Sequence, residues 1–62
     1  MTKIRNLIVE YRTQEGITQS ELAQRTGVSQ PTIASLEKGE NASLLTKAKI
    51  SKFFNIKIDE LE

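Results

Sequence analysis

The chain has no cysteine and no histidine. Without cysteine there is no disulfide framework and no thiolate metal site. Without histidine the usual general base, the usual proton shuttle and the commonest metal ligand are all missing. A Ser-His-Asp or Cys-His centre cannot be built. Only carboxylate chemistry stays open to an enzyme, and 62 residues leave little room for a closed pocket of about a few hundred Å³. A non-enzymatic protein with no cofactor and no metal is the expectation. No apolar run reaches the roughly 18 residues of a membrane span. The N-terminus, Met1-Thr2-Lys3-Ile4-Arg5-Asn6, has no signal-peptide core. The sequence reads as cytoplasmic, with no membrane partner.

Neither sign of charge dominates. Nine Lys and Arg stand against eight Asp and Glu, a net charge of +1, so composition alone argues only weakly for a nucleic-acid partner. The first fourteen residues carry +2, residues 15–40 carry −2 and residues 41–62 carry +1. Any basic face must therefore be assembled by folding. At 37% hydrophobic and 27% charged, the chain is too apolar and too balanced for disorder. It is expected to form one domain over 1–62, marginal at this size because small domains bury only about 60% of their unfolded surface.

What is present is helical punctuation. Gly16, Gly27 and Gly39 each follow an amphipathic stretch, where a left-handed residue ends a helix. Ile4, Leu7, Ile8 and Tyr11 form an i, i+3, i+4, i+7 stripe from about Thr2, the expected cap, to Glu15. Thr18-Gln19-Ser20-Glu21 is a capping box, with Ile17 and Leu22 placed as a hydrophobic staple; this second helix runs to about Thr26. Ser29 caps a third helix to about Lys38, with Pro31 in its first turn, where a missing N–H costs no bond. Ser43 caps a fourth from about Leu44 to Phe54, with a looser pattern of Leu45, Ala48, Ile50, Phe53 and Phe54. Asn55 ends it. Ile56, Ile58 and Leu61 form an apolar tail, with Asp59 and Glu60 suited to a one-turn helix. The fold class is all-α: a compact five-helix domain. Its expected core is Ile4, Leu7, Ile8, Tyr11, Ile17, Leu22, Ala23, Val28, Ile33, Leu36, Ile50, Phe54, Ile56 and Leu61.

The third helix has an unusual outward face. Gln30, Pro31, Thr32 and Ser35 lie opposite Ile33 and Leu36, and all four are short and uncharged where a surface helix ordinarily carries Glu, Lys and Arg. Glutamine pairs bidentately with adenine N6 and N7, and Thr, Ser or Pro can touch a thymine methyl or a base edge. Taken singly, each of these residues is equally an idle solvated side chain, and Ser29 is first of all a cap.

From Gln19 to Lys38 the chain resembles the twenty-residue helix-turn-helix of the phage repressor and Cro family, the XRE-like regulators. The resemblance rests on Ala23 at the helix crossing, Gly27 in the turn, and apolar Leu22, Val28, Ile33 and Leu36. Arg12 and Glu37-Lys38-Gly39 resemble that family's pairing of the first and third helices, and Phe54 to Leu61 resembles its final helices. The resemblance implies a lambda-repressor-like DNA-binding domain and a transcriptional regulator, akin to the Cro and repressor proteins of phage, prophage or bacterium. It also implies a homodimer on a double-stranded, pseudo-palindromic operator. Gln30, Pro31, Thr32 and Ser35 would read bases. Arg12, Gln19, Ser29, Lys38, Asn41 and Ser43 would approach phosphates, and Arg12 would also pair with Glu37. Phe53, Ile56, Ile58 and Leu61 would form a dimer interface or, alternatively, only complete the monomer core. Departures from the pattern are Pro31 at a usually polar position, Thr26 at an apolar one, Glu40 where positive charge would help, and Ser51 in place of alanine. An antitoxin, or a protein-interaction module on the same fold, is the alternative.

Overall fold

The computed structural model describes residues 2–62. It has four α-helices: α1 (Ile4–Glu15), α2 (Gln19–Thr26), α3 (Gln30–Glu37) and α4 (Leu44–Phe54). The fifth helix expected from the sequence is a single 3-10 turn, Ile58–Glu60. Three residues close only one such turn, too few to propagate an α-helix. Among the described residues the extended pairing is one isolated parallel bridge between Thr2 and Leu61.

That bridge moves the start of α1. Thr2 does not cap the helix. Its N–H donates to the Glu60 carbonyl at 2.7 Å, and its carbonyl accepts from the Glu62 N–H at 2.8 Å. Lys3 is the N-cap and supplies no side-chain bond. The other three starts follow their local signals. Thr18 and Glu21 form the full capping box on α2, and Ser29 and Ser43 accept from the N–H groups of Thr32 and Thr46. Gly27 ends α2 at φ 78, where a side chain would be strained. Asn55 ends α4 in the same left-handed region at φ 58, which asparagine tolerates better than other side chains. α3 ends one residue earlier than expected, at Glu37, with Lys38 as its C-cap.

The core is Ile4, Ile8, Leu22, Val28, Ile33, Leu36, Ile50 and Leu61, each at most 5% exposed. Leu7, Tyr11, Ile17, Ala23, Ala42, Phe53, Phe54 and Ile56 pack around it. Burying each large aliphatic side chain contributes about 1.5–3 kcal/mol. α3 packs against both α1 and α2, so its apolar side is fully used and its other side faces out.

Leu61, named for the core and alternatively for a dimer interface, is 4% exposed and packs in the core. Leu45, placed in the apolar pattern of α4, is 67% exposed, and its neighbour Leu44 is 73% exposed. Phe53 has a partner within the chain. It stands edge-on to Tyr11 and Phe54 at centroid distances of 5.4 and 5.0 Å, and Tyr11 meets Phe54 at 5.3 Å. These are all three aromatic residues of the chain, gathered into one cluster between α1 and the end of α4.

The departures at Thr26 and Ser51 have local reasons. The Thr26 hydroxyl donates back to the Leu22 carbonyl at 2.9 Å and accepts from the Val28 N–H at 3.3 Å, which ties the turn to the end of α2. The Ser51 hydroxyl donates to the Ile56 carbonyl, and the Ile56 N–H donates to the Ser51 carbonyl at 3.0 Å. Serine here stitches the tail to α4, which alanine could not do.

Candidate nucleic-acid interface

α3 is held from below by its apolar side and at both ends by polar contacts. Ile33 is 0% and Leu36 2% exposed, so rotation about the helix axis would bury polar groups and expose the core. At its start Ser29 accepts from the Thr32 N–H, and the two hydroxyls lie 2.7 Å apart. At its end Arg5 Nε donates to the Glu37 carbonyl at 2.9 Å. A cation at a helix C-terminus also offsets the negative end of the dipole. The sequence reading missed this role for Arg5. The available signal was that Arg5 and Arg12 are seven residues apart, two turns along one face of α1.

Of the expected base readers, Gln30 and Pro31 are exposed, and Thr32 and Ser35 are half-buried. Pro31, Thr32 and Ser35 line one open hollow of about 350 Å³ together with Asn41, Ser43 and Thr46. Helix α3, the loop after it and the start of α4 thus form one continuous surface. Among the residues expected at phosphates, Asn41 and Ser43 line the hollow, Ser29 and Lys38 are exposed at the two ends of α3, and Gln19 and Arg12 are half-buried. Glu40 also lines the hollow, a negative charge on an otherwise uncharged rim.

Gln30, Gln19, Glu37 and Arg12 are joined by hydrogen bonds. Gln30 Nε2 donates to Gln19 Oε1 at 2.9 Å. Gln19 Nε2 donates to Glu37 Oε1 at 3.0 Å. Arg12 Nη1 donates to both Glu37 oxygens, at 3.2 and 3.0 Å. The Arg12 and Glu37 side chains are 26% and 15% exposed, so water screens this pair less than a surface pair. Arg12 Nε is buried without an acceptor, which makes the Glu37 carboxylate the chief polar anchor of that guanidinium.

The rest of the polar framework is structural. Arg25 Nη1 donates to the Tyr11 hydroxyl at 3.1 Å and to Glu15 at 3.2 Å. The tyrosine contact first, and then the carboxylate, push the pKa of Arg25 further up. Lys49 Nζ donates to the Gly27 carbonyl at 3.0 Å and so ties α4 to the turn before α3. Among the described residues no group of His, Cys, Asp or Glu is arranged to hold a metal ion, and no helix is long and apolar enough to cross a membrane.

The geometry has counterparts among known proteins. A family described as "Helix-turn-helix" matches residues 8–61. An uncharacterized HTH-type transcriptional regulator of Archaeoglobus fulgidus is 46% identical over 59 residues, covering 94% of this chain and 84% of its own length. One of Methanocaldococcus jannaschii is 41% identical over 59 residues, covering 94% of this chain and 89% of its own. One of Bacillus subtilis is 36% identical over the same length, with coverage of 94% and 89%. No solved structure matches the chain.

Proposed function

The chain belongs to the helix-turn-helix family, non-enzymatic regulators that bind DNA, and from that premise we propose that it acts by laying α3 in the major groove of an operator. The observation that carries this reading is the outward face of α3. It is uncharged, rich in hydrogen-bonding groups, and fixed in rotation by Ile33 and Leu36 beneath it. Gln30, Pro31, Thr32 and Ser35 read base edges. Gln19, Ser29, Lys38, Asn41 and Ser43 set the register on phosphates, and Arg12 leans toward one while holding Glu37. Phosphate contacts supply most of the affinity and its salt dependence, while the base contacts supply sequence choice.

The operator is pseudo-palindromic and is bound by two copies, with recognition helices about 34–36 Å apart, one helical turn of DNA. The Cα frame measures 27 × 20 × 19 Å, so two copies fit side by side at that spacing without overlap. With Leu61 inside the monomer, the tail's contribution to a dimer surface reduces to Ile58, 39% exposed, and the uncovered parts of Phe53 and Ile56. Occupying the operator would block polymerase, which makes the protein a repressor of the Cro type.

A protein-interaction module, including an antitoxin, is the second reading, and the exposed pair Leu44 and Leu45 favours it. One titration separates the two. Duplexes selected by the protein from a random-core library are measured by fluorescence anisotropy at several salt concentrations. A DNA reader gives tight, salt-sensitive binding to the selected sequence over bulk duplex. Absent or salt-insensitive binding supports the interaction module.

A further inference from the structure

We propose that the cleft between the end of α2 and α4 is a docking groove for an acidic segment of another protein. Arg25, Thr26 and Gly27 form one wall and Lys49, Lys52 and Phe53 the other, around about 620 Å³ of open space. The groove shares no lining residue with the hollow beside α3. α2 and α4 begin at the surface of that hollow, with Gln19 bonded to Gln30 and Ser43 in the lining. The groove lies toward their other ends, about 9 Å further along from Gln19 to Arg25 and from Thr46 to Lys52. The proposal goes beyond the reading of α3 and does not rest on it.

The net charge of the whole chain is +1, yet three of its nine cations line this groove and no acidic residue does. Part of that charge is used inside the chain. Lys49 Nζ donates to the Gly27 carbonyl, and Arg25 Nη1 is shared between Tyr11 and Glu15. The ends of α2 and α4 each contribute about half a negative charge. Those two ends and Glu15 together still leave a surplus of about one positive charge. Lys52 is exposed, and neither ion pair of the described residues includes it.

The groove side chains also have donors to spare. An ammonium has three and a guanidinium five, so Lys49 and Arg25 keep some beyond the bonds they make. The Thr26 hydroxyl is already engaged, with the Leu22 carbonyl and the Val28 N–H. Phe53 adds apolar surface and is held edge-on by Tyr11 and Phe54. Donors around a fixed aromatic ring match a peptide that interleaves carboxylates with aliphatic side chains. A DNA backbone would meet the cations and offer the ring no apolar counterpart. Phe53 also stands at the proposed dimer surface, so a second copy is the occupant to be told apart from a partner protein.

The test uses the full chain. Short peptides are selected on it from a displayed random library. The recovered sequence is made with a fluorescein label, beside a counterpart in which Asn and Gln replace Asp and Glu. Anisotropy gives Kd for wild-type protein, Lys52→Glu, Lys49→Gln and Lys3→Glu, and circular dichroism confirms folding. Lys3 is exposed, lies outside the groove and takes the same charge change as Lys52. The recovered peptides should be acidic with interleaved aliphatic residues, and the amide counterpart should bind at least about tenfold more weakly. Lys52→Glu should weaken binding by about fivefold or more and Lys49→Gln by about two- to fivefold, with Lys3→Glu within about twofold of wild type. Neutral or basic peptides, no recovered peptide, or equal losses in Lys52→Glu and Lys3→Glu overturn the proposal. So does a loss of duplex binding larger in Lys52→Glu than in Lys3→Glu, which gives the groove to DNA. A wild-type dimer that Lys52→Glu dissociates in sedimentation overturns it too, and gives the groove to Asp59 and Glu60 of a second copy.

Discussion

Helices α3 and α4 share a frame and differ in what they carry on it. Each starts at a serine that accepts from the N–H of a threonine three residues on, and the paired hydroxyls lie 2.7 Å apart in α3 and 3.1 Å apart in α4. Counting from the cap, each has alanine at the fifth place (Ala34, Ala48), a buried aliphatic at the seventh (Leu36, Ile50) and lysine at the ninth (Lys38, Lys52). The outward places diverge. Gln30, Pro31 and Ser35 on α3 correspond to Leu44, Leu45 and Lys49 on α4. Caps and core positions therefore specify only that a helix forms and which way it faces. The chemistry offered to a partner resides in the remaining residues.

If the frames are equivalent, damage to them should be equivalent. The largest effects come from the seventh place. Leu36→Ala and Ile50→Ala should each cost about 2–5 kcal/mol in urea unfolding. That approaches the whole stability of about 3–5 kcal/mol expected of a core this small. A loss at one site several-fold smaller than at the other would break the equivalence. The caps come next. Ser29→Ala and Ser43→Ala should each cost about 0.5–2 kcal/mol of stability, and both should also weaken DNA binding on operator and random duplex alike, out of proportion to unfolding. The ninth place follows. Lys38→Ala should flatten the salt dependence of log K by about one phosphate contact, while Lys52→Ala should leave it unchanged.

The smallest effect separates α2 from both. The Thr18 backbone N–H, and after it the Thr18 side chain, hold the Glu21 carboxyl below its ordinary value of 4.5. The folded-state value is thus below the unfolded one. The contribution is fully present above pH 4.5 and is lost as pH falls below it. α3 and α4 have no acid in their first turns, so Glu21→Gln should remove a small acid-sensitive part of thermal stability that no change in those two caps would touch.

Much of this was legible because it is local. Ser29, Ser43, Thr18 with Glu21, Gly27 and Asn55 each act within a few residues of their own position, and all of them do what their spacing predicts. The apolar stripes are also local, and every residue named from them as core is buried or packed against the core. What stayed hidden depends on distant chain. Thr2 is drawn from its capping role by residues 60 and 62, at the far end of the sequence. Phe53 looks like spare apolar surface until Tyr11 is brought beside it. Arg5 reaches a carbonyl 32 residues away. In the polar network around α3, the pairing of Arg12 with Glu37 came from resemblance, whereas the two glutamine links that extend it to Gln30 needed coordinates.

The central claim is that one outward helical face, and not its structural twin, reads a duplex. Binding of Gln30→Ala and Leu44→Ala, measured on the selected operator and on random duplex, tests it most directly. Gln30→Ala should lose about 1–3 kcal/mol on the operator and almost nothing on random DNA. Leu44→Ala should change either by less than about 0.5 kcal/mol. Equal losses from Gln30→Ala on both DNAs, or a larger operator loss from Leu44→Ala, would contradict the claim.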